Sequence, residues 1–446
     1  MTFICQPFLF VEGLRLSPGN LLGNCIRDIN SNSVIQFLTL DSDHQTNCMK
    51  SLEKRIKKFN EGFLKDSLIL KYERMAKDAF SFFRGTCHLF YEDISNTANL
   101  PASPLTWISG DLHVENFGSY RGDNRLVYFD LNDFEEAILA PAAWEIARII
   151  TSIDVAFDSF KIDDEKADKM VEQFLYTYSA TLQKGKALYI EPQIASGVVK
   201  TFLETVAKRP PEELLDERTT GEAGNRRLLI DKDHHTKLPD ELKKELLDHI
   251  QLWAAKKNQL SNYRCVDVAF RIAGTGSIGV NRYCFLFRED KTSHYKLIDM
   301  KEARVSSLAK YAGSEQPAWP TEAKRIYFVQ KFMQNNNPEL LSTTRFKESS
   351  YVIRELQPTS DKISFKKIKE QHEDIKQVID DMAMLTASAQ IRISGRKGAA
   401  VADDLVAFGN KKGWQKKLID FSKPYSNKVK EYYAEFLEAY NNKDIL

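Results

Sequence analysis

The sequence predicts an α+β protein with two lobes. Helical periodicity occupies both ends of the chain, a short strand-loop-strand unit lies near residues 105–130, and residues 263–360 are rich in strand signals. The 446 residues, 43% hydrophobic and 28% charged, are enough for two or three hydrophobic cores. The expected organisation is an N-terminal extension at 1–70, a helical lobe at 71–262, a strand-rich lobe at 263–360, and C-terminal helices at 361–446 that pack on the helical lobe.

The charge balance and the apolar pattern exclude several classes of protein. Lys and Arg number 63 and Asp and Glu 62, so no overall positive charge draws the chain to nucleic acid or to an anionic membrane. No apolar run approaches the roughly 20 residues that cross a bilayer, and the apolar N-terminal stretch lacks a preceding basic segment. The six cysteines form no CxxC pair and no metal-ligand spacing with histidine. We therefore expect a cytoplasmic protein with reduced thiols; export by a specialised secretion system stays open.

The first half of the chain alternates helices with two short strands. Apolar residues recur at helical spacing over Tyr72–Ile94, and an Asn/Pro cluster ends that helix. Strand signals follow at Leu105–Ser109 and Leu126–Phe129, with a polar loop between them. After Pro141 a stripe of isoleucines predicts another helix with one buried face.

The second half adds a strand group and a long helix. The polar, turn-rich segment 209–240 is expected to be a loop or connection, and a helix at about 239–260 follows it. Strands are predicted within 265–303 and at 351–356. The apolar spacing over 366–393 is that of a long amphipathic helix.

Three polar residues in the strand-loop-strand unit suggest phosphoryl-transfer chemistry. Asp111 and Asn116 lie five residues apart, the spacing at which the kinase catalytic loop places an Asp beside the acceptor hydroxyl and an Asn on the metal. Asp130 follows at the end of an apolar strand, where a second oxygen ligand is expected. Asp and Asn also favour turns and helix caps for local reasons, and that purely structural interpretation is the alternative. The ordered set favours Asp111 as the catalytic residue, with Asn116 and Asp130 as ligands of Mg²⁺.

A glycine motif marks a second candidate site. The run at 274–280 reads G-x-G-x-x-G-x-V and lies between two strand signals, which is the setting of the kinase glycine loop rather than of the strand-to-helix Rossmann turn. Lys301, one strand later, is placed to contact phosphates. A glycine hairpin that binds nothing is the alternative. The predicted nucleotide-binding residues are Gly274, Thr275, Gly276, Ser277, Gly279 and Lys301.

The remaining candidates are weaker. Glu322, on the helix predicted after Lys301, is the candidate partner of that lysine, because Glu302 should point to the other face of the strand. His113 is more typical of a hydrogen-bonding loop residue than of a catalytic base. No G-x-S-x-G elbow supports hydrolase chemistry.

The order of the two motifs differs from that of ordinary kinases, in which the glycine loop and the lysine come first. Here they follow the Asp111 loop by some 160 residues. Either the motifs are unrelated, or a kinase-like fold is circularly permuted, which is acceptable when the original termini lie close together at the surface. Permutation predicts that the glycine hairpin overhangs a cleft containing Asp111, Asn116 and Asp130. It also predicts that the Lys301 ammonium lies roughly 4–6 Å from Asp130 in a closed form, and somewhat farther if the lobes are open.

Six segments form an ordered set of motifs across most of residues 70–440. They are RMAKDAFSFFRGTCHLF, GDLHVENFG, VYFDLNDFEEAILAPAAWEIARIITS, DVAFRIAGTGSIG, IDMKEA and YVIREL. Together they resemble the bacterial family known as domain of unknown function 2252. That family is grouped with protein-kinase-like and aminoglycoside-phosphotransferase-like folds, so the resemblance implies a kinase-like fold here.

The resemblance also implies roles for individual residues. The family's GDxHxxNFG motif falls on 110–118, its FDLNDF motif on 129–134, and its glycine and KEA motifs on 274–279 and 301–303. Trp144-Glu145 stands where the family usually has Trp-Asp, with Arg148 after it, which implies a supporting role for Glu145. Gln390 replaces a His of the family's late motif, and the expected Asp is missing after Tyr425. These departures concern the C-terminal motif and spare the phosphate and metal candidates.

The expected activity is transfer of a phosphoryl group from ATP, with Mg²⁺, to a hydroxyl of an acceptor. Two alternatives stay open: a kinase-like enzyme that transfers AMP from an inverted nucleotide, and a nucleotide-binding pseudokinase that docks partners. The expected partners are therefore a nucleotide and an acceptor. The acceptor is not encoded in a transferable way, because function resides in site loops rather than in the fold.

Overall fold

Helices form both ends of the described chain and enclose a group of short strands. The computed structural model describes residues 51–222, 224–231, 234–274, 278–292, 294–357 and 362–445, which belong to one compact unit. Residues 1–50, most of the predicted N-terminal extension, lie outside the described residues. So do Thr275, Gly276 and Ser277 of the glycine motif.

In the described chain from residue 51 onward, four helices come before the first strand. They are α1 (Leu52–Phe59), α2 (Lys65–Met75), α3 (Ala79–Gly85) and α4 (Cys87–Ser95). The prediction of a single helix over Tyr72–Ile94 was therefore wrong. The helix is interrupted before α3, where the Asp78 carboxylate accepts a hydrogen bond from the Ser81 amide (2.7 Å) and caps the start of a new helix.

Two antiparallel strand pairs bring the predicted loop and its neighbour together. The strands are β1 (Leu105–Ile108), β2 (Phe117–Arg121), β3 (Val127–Leu131) and β4 (Ile138–Pro141), of which β1 pairs with β4 and β2 with β3. The β1–β2 loop carries Asp111 and the β3–β4 loop carries Asp133. The two loops touch, because the Asn132 amide donates to the Asn116 carbonyl (3.1 Å).

A buried helix forms the centre of the helical part. Helix α5 (Ala142–Phe160) is buried over nearly its whole circumference, which is typical of a helix enclosed by others. Two further helices of this part are α6 (Asp164–Lys184) and α7 (Gly197–Lys208), whereas Leu215 of α8 (Pro211–Arg218) packs with apolar residues of the sheet. The segment predicted as a loop over 209–240 thus contains α8, together with three two-residue strands, β5 (Thr219–Thr220), β6 (Arg227–Leu228) and β7 (His235–Thr236).

A six-stranded antiparallel sheet forms the strand-rich part. Besides β7, its strands are β8 (Tyr263–Arg271), β9 (Arg282–Glu289), β10 (Tyr295–Ala303), β11 (Ser342–Phe346) and β12 (Ser349–Glu355). Helix α9 (Asp240–Ala254) precedes β8 in the chain, and α10 (Glu322–Met333) lies between β10 and β11. The strand order is β11-β12-β10-β9-β8-β7. Ile298 and Met300 of β10 pack with α9, so Asp299 and Lys301 point to the opposite face.

The chain ends in helices that share the core of the helical part. They are α11 (Phe365–Ile368), α12 (His372–Ile393), α13 (Ala402–Asn410) and α14 (Trp414–Asn441), so the helix predicted over 366–393 is interrupted after Ile368. Apolar residues of α12 and α14 join those of α5 and α6 in one cluster. Within the described residues, no helix is both long and apolar enough to cross a membrane.

Candidate active site

Gly110 gives the β1–β2 loop its shape. Its φ of +87° lies in the left-handed region, and a Cβ added there would come within 2.3 Å of the Glu136 carbonyl oxygen. Only glycine fits this close approach between the two site loops. The buried Tyr91 hydroxyl donates a hydrogen bond to the Gly110 carbonyl (2.5 Å) and thereby holds the turn in place.

Asp111 lies on the wall of a cavity and is held by a buried arginine. Arg148 Nε and Nη2 contact Asp111 Oδ1 at 3.0 and 2.5 Å, and the guanidinium lies 4.0 Å from the centre of the Phe83 ring. The Asp111 side chain remains 22% exposed. Burial raises the pKa of Asp111 above its ordinary value, against the opposing effect of Arg148. The carboxylate is therefore positioned, solvent-accessible and more basic than an ordinary aspartate.

A chain of buried hydrogen bonds supports this loop from the C-terminal helices. Glu145 Oε1 accepts from the Ser109 amide (2.6 Å) and hydroxyl (2.7 Å), and its Oε2 accepts from Gln390 Nε2 (2.8 Å). The Tyr178 hydroxyl donates to Gln390 Oε1 (2.5 Å). The supporting role implied for Glu145 is thus present in the structure. Gln390, which departs from the family's motif, is its direct partner.

Asn116 joins Asp111 to the second site loop. Its Nδ2 donates to the Asp111 carbonyl (3.0 Å), and its Oδ1 accepts from the Asp133 amide (3.0 Å). A carbonyl oxygen has two lone pairs, so Oδ1 keeps the capacity to bind a cation. Asn116 thereby places Asp133 beside Asp111.

The structure places Asp130 away from the cavity and Asp133 on it. Asp130 lies inside β3 opposite Gly118, is 1% exposed, and has Arg392 Nη1 3.7 Å from its Oδ2. The expected position at the end of the strand was therefore wrong by one residue, because β3 continues to Leu131. Asp133, in the loop beyond, is 56% exposed and lines the cleft.

Lys301 is paired with a carboxylate of the β3–β4 loop. Its Nζ lies 2.6 Å from Glu135 Oε1 across 166 residues of chain. The expected partner, Glu322, instead contacts Arg325 within α10 (2.6 Å), so that expectation was wrong. Arg325 in turn donates to the carbonyls of Ala137 (2.5 Å) and Glu135 (2.9 Å), and α10 thereby holds the loop that carries the lysine's partner.

Part of the glycine motif is described, and it lies over the same cleft. Gly274 (φ +79°) and Gly279 (φ +101°) both adopt the left-handed conformation that favours glycine. A Cβ on Gly279 would lie 2.7 Å from the Phe63 ring, so the segment between α1 and α2 packs directly on the turn. Gly274 lines the cavity that contains Asp111 and Lys301.

Two adjoining cavities form the cleft. One, of about 610 Å³, is lined by Asp111, Asp133, Glu135, Glu136, Gly274 and Lys301 among others. The second, of about 680 Å³, shares Arg84, Asp133 and Gly274 with the first and also contains Asn116. Both volumes are those of small-molecule sites.

His113 is a structural residue of the loop. It is buried, its Nδ1 accepts from the Glu115 amide (3.2 Å), and its ring meets Phe80 edge-on at 5.7 Å. Burial and nearby cations lower the pKa of His113 well below its ordinary value. The neutral ring is consistent with the hydrogen-bonding role favoured from the sequence.

The oxygen atoms of the cleft suit a hard cation that also binds phosphates. Asp133, Glu135 and the Asn116 carbonyl oxygen come from the two site loops. Over the described residues, no group of three or more His, Cys, Asp or Glu is arranged to hold a metal alone. Mg²⁺ commonly takes only one or two carboxylates from the protein and completes its shell with water and phosphate oxygens, so this donor set fits it.

A group of arginines on the sheet was missed in the sequence. Arg271 Nη1 lies 2.7 Å from Asp299 Oδ1, and Arg282 Nε and Nη2 contact the same carboxylate at 2.8 and 2.7 Å. Arg354 Nε lies 4.0 Å from it. Burial alone would raise the pKa of Asp299, but Arg271 and Arg282 hold it well below its ordinary range. The available signal was that each of these charged residues lies in a strand of the predicted strand-rich lobe.

The chain belongs to a bacterial family. It matches the family described as "Uncharacterized protein conserved in bacteria (DUF2252)" over residues 64–439. This confirms the resemblance read from the motifs. No curated protein and no solved structure matches the chain.

Proposed function

We propose that this DUF2252 protein is a kinase-like phosphotransferase that uses ATP and Mg²⁺ to phosphorylate a hydroxyl of an acceptor. The observation that carries the proposal is the pairing of Lys301 with Glu135 on the wall of the cavity that also holds Asp111. Nothing local in the sequence requires these residues to meet. A site that binds phosphate, metal and acceptor together does require it.

The arrangement of the sheet supports a permuted kinase-like fold. The glycine turn connects β8 to β9, Lys301 lies in the next strand, β10, and helix α10 follows. Kinases use the same succession of glycine loop, lysine strand and helix, placed before the catalytic loop instead of after it. Here that succession follows the Asp111 loop and returns to the same cleft.

Each side chain of the site has a separate role in the proposed transfer. Asp111, held by Arg148 and made more basic by burial, accepts the proton of the acceptor hydroxyl as that oxygen bonds to the γ-phosphorus, while the bond from the γ-phosphorus to ADP breaks and ADP leaves. Lys301 would hold phosphate oxygens, and Asn116 and Asp133 would hold Mg²⁺, whose chemistry when bound would be to offset the negative charge of the phosphates. We assign Asp133 the metal role predicted for Asp130, because Asp133 is the one that lines the cleft.

The test compares three conservative variants by thermal shift and ADP release. With nucleotide at about 100 times its Kd, Mg²⁺-dependent stabilisation of roughly 2.7 kcal/mol is expected for the wild type. Asp133→Asn should lose most of the Mg²⁺-dependent part, because hard cations prefer anionic oxygen. Asp111→Asn should keep nucleotide binding and lose turnover.

Asp130→Asn is the matched control for the metal assignment. It removes the same charge from a carboxylate outside the cleft and should leave Mg²⁺-dependent nucleotide binding within about twofold of wild type. Loss of binding in Asp130→Asn but not in Asp133→Asn would restore the original assignment. No Mg²⁺-dependent shift with any nucleotide in the wild type would refute the proposal as a whole.

A second candidate, transfer of AMP, is favoured by one observation. The cavity beside the glycine turn is lined by Arg271 and Arg282, whose guanidinium groups suit phosphate oxygens. Phosphates of an inverted nucleotide would match that lining. Intact-mass analysis after incubation with ATP and Mg²⁺ separates the candidates, since an added phosphate and an added adenylate differ in mass. Nucleotide binding with neither modification nor turnover would leave the pseudokinase alternative.

A further inference from the structure

The second cavity of the cleft contains more positive charge than its carboxylates balance. On the sheet side, Asp299 pairs with Arg271, Arg282 and Arg354, so one negative charge lies among three positive ones. Arg354 lies directly opposite Asp299 in the register of β10 and β12, and its Nη2 is 3.9 Å from Asp133. The three arginines come from three strands of the same sheet and meet on the face that points into the cleft.

On the opposite wall of the cavity, cations again outnumber the carboxylate with which they pair. Arg84 Nη1 and Lys362 Nζ share one carboxylate, Glu115, at 2.6 and 3.9 Å. Arg84 Nε is buried and has no hydrogen-bond partner among the described residues. In the part of the chain that the structure describes, the cavity is lined by seven Lys or Arg side chains and three Asp or Glu, while the whole chain carries a net charge of only +1.

Such clustering is unfavourable unless an anion offsets it. Burial, and then the neighbouring Arg282, lower the pKa of Arg271 to about 10. Burial and Arg84 likewise lower the pKa of Lys362 below its ordinary value. Like charges held together at a partly enclosed surface cost free energy, and guanidinium groups bind phosphate oxygens in two-pronged geometry. The pocket is therefore organised for a multivalent oxyanion.

We propose that this basic pocket, formed by Arg84, Arg271, Arg282, Arg354 and Lys362, binds the phosphoryl groups of a ligand. The identity of the ligand rests on the proposed function, because a phosphotransferase binds two substrates, the nucleotide and the acceptor, and the ligand is one of them. The phosphates belong either to the nucleotide itself, as AMP transfer requires, or to an acceptor that is already phosphorylated. The shared chemistry is a phosphate ester or polyphosphate.

The test uses inorganic pyrophosphate as the probe, measured by titration calorimetry on the full chain at constant ionic strength without Mg²⁺. Arg354→Gln and Lys362→Gln remove one cation each and should weaken binding by about tenfold or more. Arg264→Gln is the matched control, because this arginine belongs to β8 but is 66% exposed and pairs with Asp290 outside the cleft. Absence of pyrophosphate binding to the wild type, or equal affinity in Arg354→Gln and Arg264→Gln, would overturn the proposal.

Competition identifies the source of the phosphates. If they belong to the nucleotide, ATP displaces pyrophosphate and Arg354→Gln weakens both. If they belong to an acceptor, ATP with Mg²⁺ and pyrophosphate bind together, and Lys301→Met weakens ATP while leaving pyrophosphate unchanged. Pyrophosphate binding without any nucleotide binding would support the pocket and refute the phosphotransferase, so the two proposals fail separately.

Discussion

Replacing Gln390 with leucine should destabilise the protein through the buried chain that supports the Asp111 loop. Gln390 is fully buried, donates to Glu145 Oε2 (2.8 Å) and accepts from the Tyr178 hydroxyl (2.5 Å). Leucine fills a similar volume but leaves both groups without this partner. Each unsatisfied buried group costs ~1–3 kcal/mol, so the expected loss of unfolding free energy for the two groups is about 2–6 kcal/mol at pH 7.

Urea denaturation measures this loss. At an m value of ~3 kcal/mol/M, a loss of about 3 kcal/mol lowers the midpoint by roughly 1 M. Burial raises the pKa of Glu145, so the folded state binds a proton more readily than the unfolded chain. The variant's deficit should therefore shrink as the pH is lowered from 7 to 5, because the protonated carboxyl no longer carries an unpaired charge.

Two controls separate the hydrogen bonds from general disruption of α12. Gln390→His, the residue expected from the family's motif, can both donate and accept and should recover at least half of the loss. Thr386→Val lies one turn earlier, is equally buried, and removes only a hydroxyl that donates to the Met382 carbonyl (2.8 Å). Its cost should be about 1 kcal/mol or less. A Gln390→Leu midpoint equal to that of the wild type would refute this account of the support.

Two further predictions concern buried residues near the cleft. Gly110→Ala places a Cβ against the Glu136 carbonyl at a φ of +87°, so it should cost at least ~1–3 kcal/mol in urea denaturation; unchanged stability would contradict the close approach. Lys71 is fully buried, and burial lowers its pKa to about 7, so the unfolded chain binds more protons than the folded one between pH 7 and 10. The stability of the wild type relative to Lys71→Met should therefore rise over that interval, by up to ~1.4 kcal/mol per pH unit. If the difference in unfolding free energy between the wild type and Lys71→Met did not vary with pH, the pKa of Lys71 would not be lowered by burial.

Much of the site's local structure was predictable because short-range signals encode it. Strands β1 and β3 coincide with the apolar and aromatic runs that predicted them, whereas β2 was not predicted and begins inside the expected polar loop. Of the glycine motif, Gly274 and Gly279 adopt the positive φ that favours glycine. Lys301 falls in β10 as the alternation of its neighbours indicates. Boundaries were less well predicted. The Asp78 cap divides one predicted helix, and β3 continues one residue past Asp130, so Asp130 lies inside the strand and not at its end.

The sequence by itself determined which residue types occupy the two loops and the glycine hairpin, because these depend on neighbours a few positions away. Only the tertiary structure decided their partners: Glu135 for Lys301, Gln390 for Glu145 across 245 residues, and three arginines around Asp299. Such pairings depend on how separate elements pack, and no short pattern records which of several carboxylates a distant cation will reach. The folded chain selects among them by the free energy of burying charges together, which belongs to the whole packing and not to any one segment.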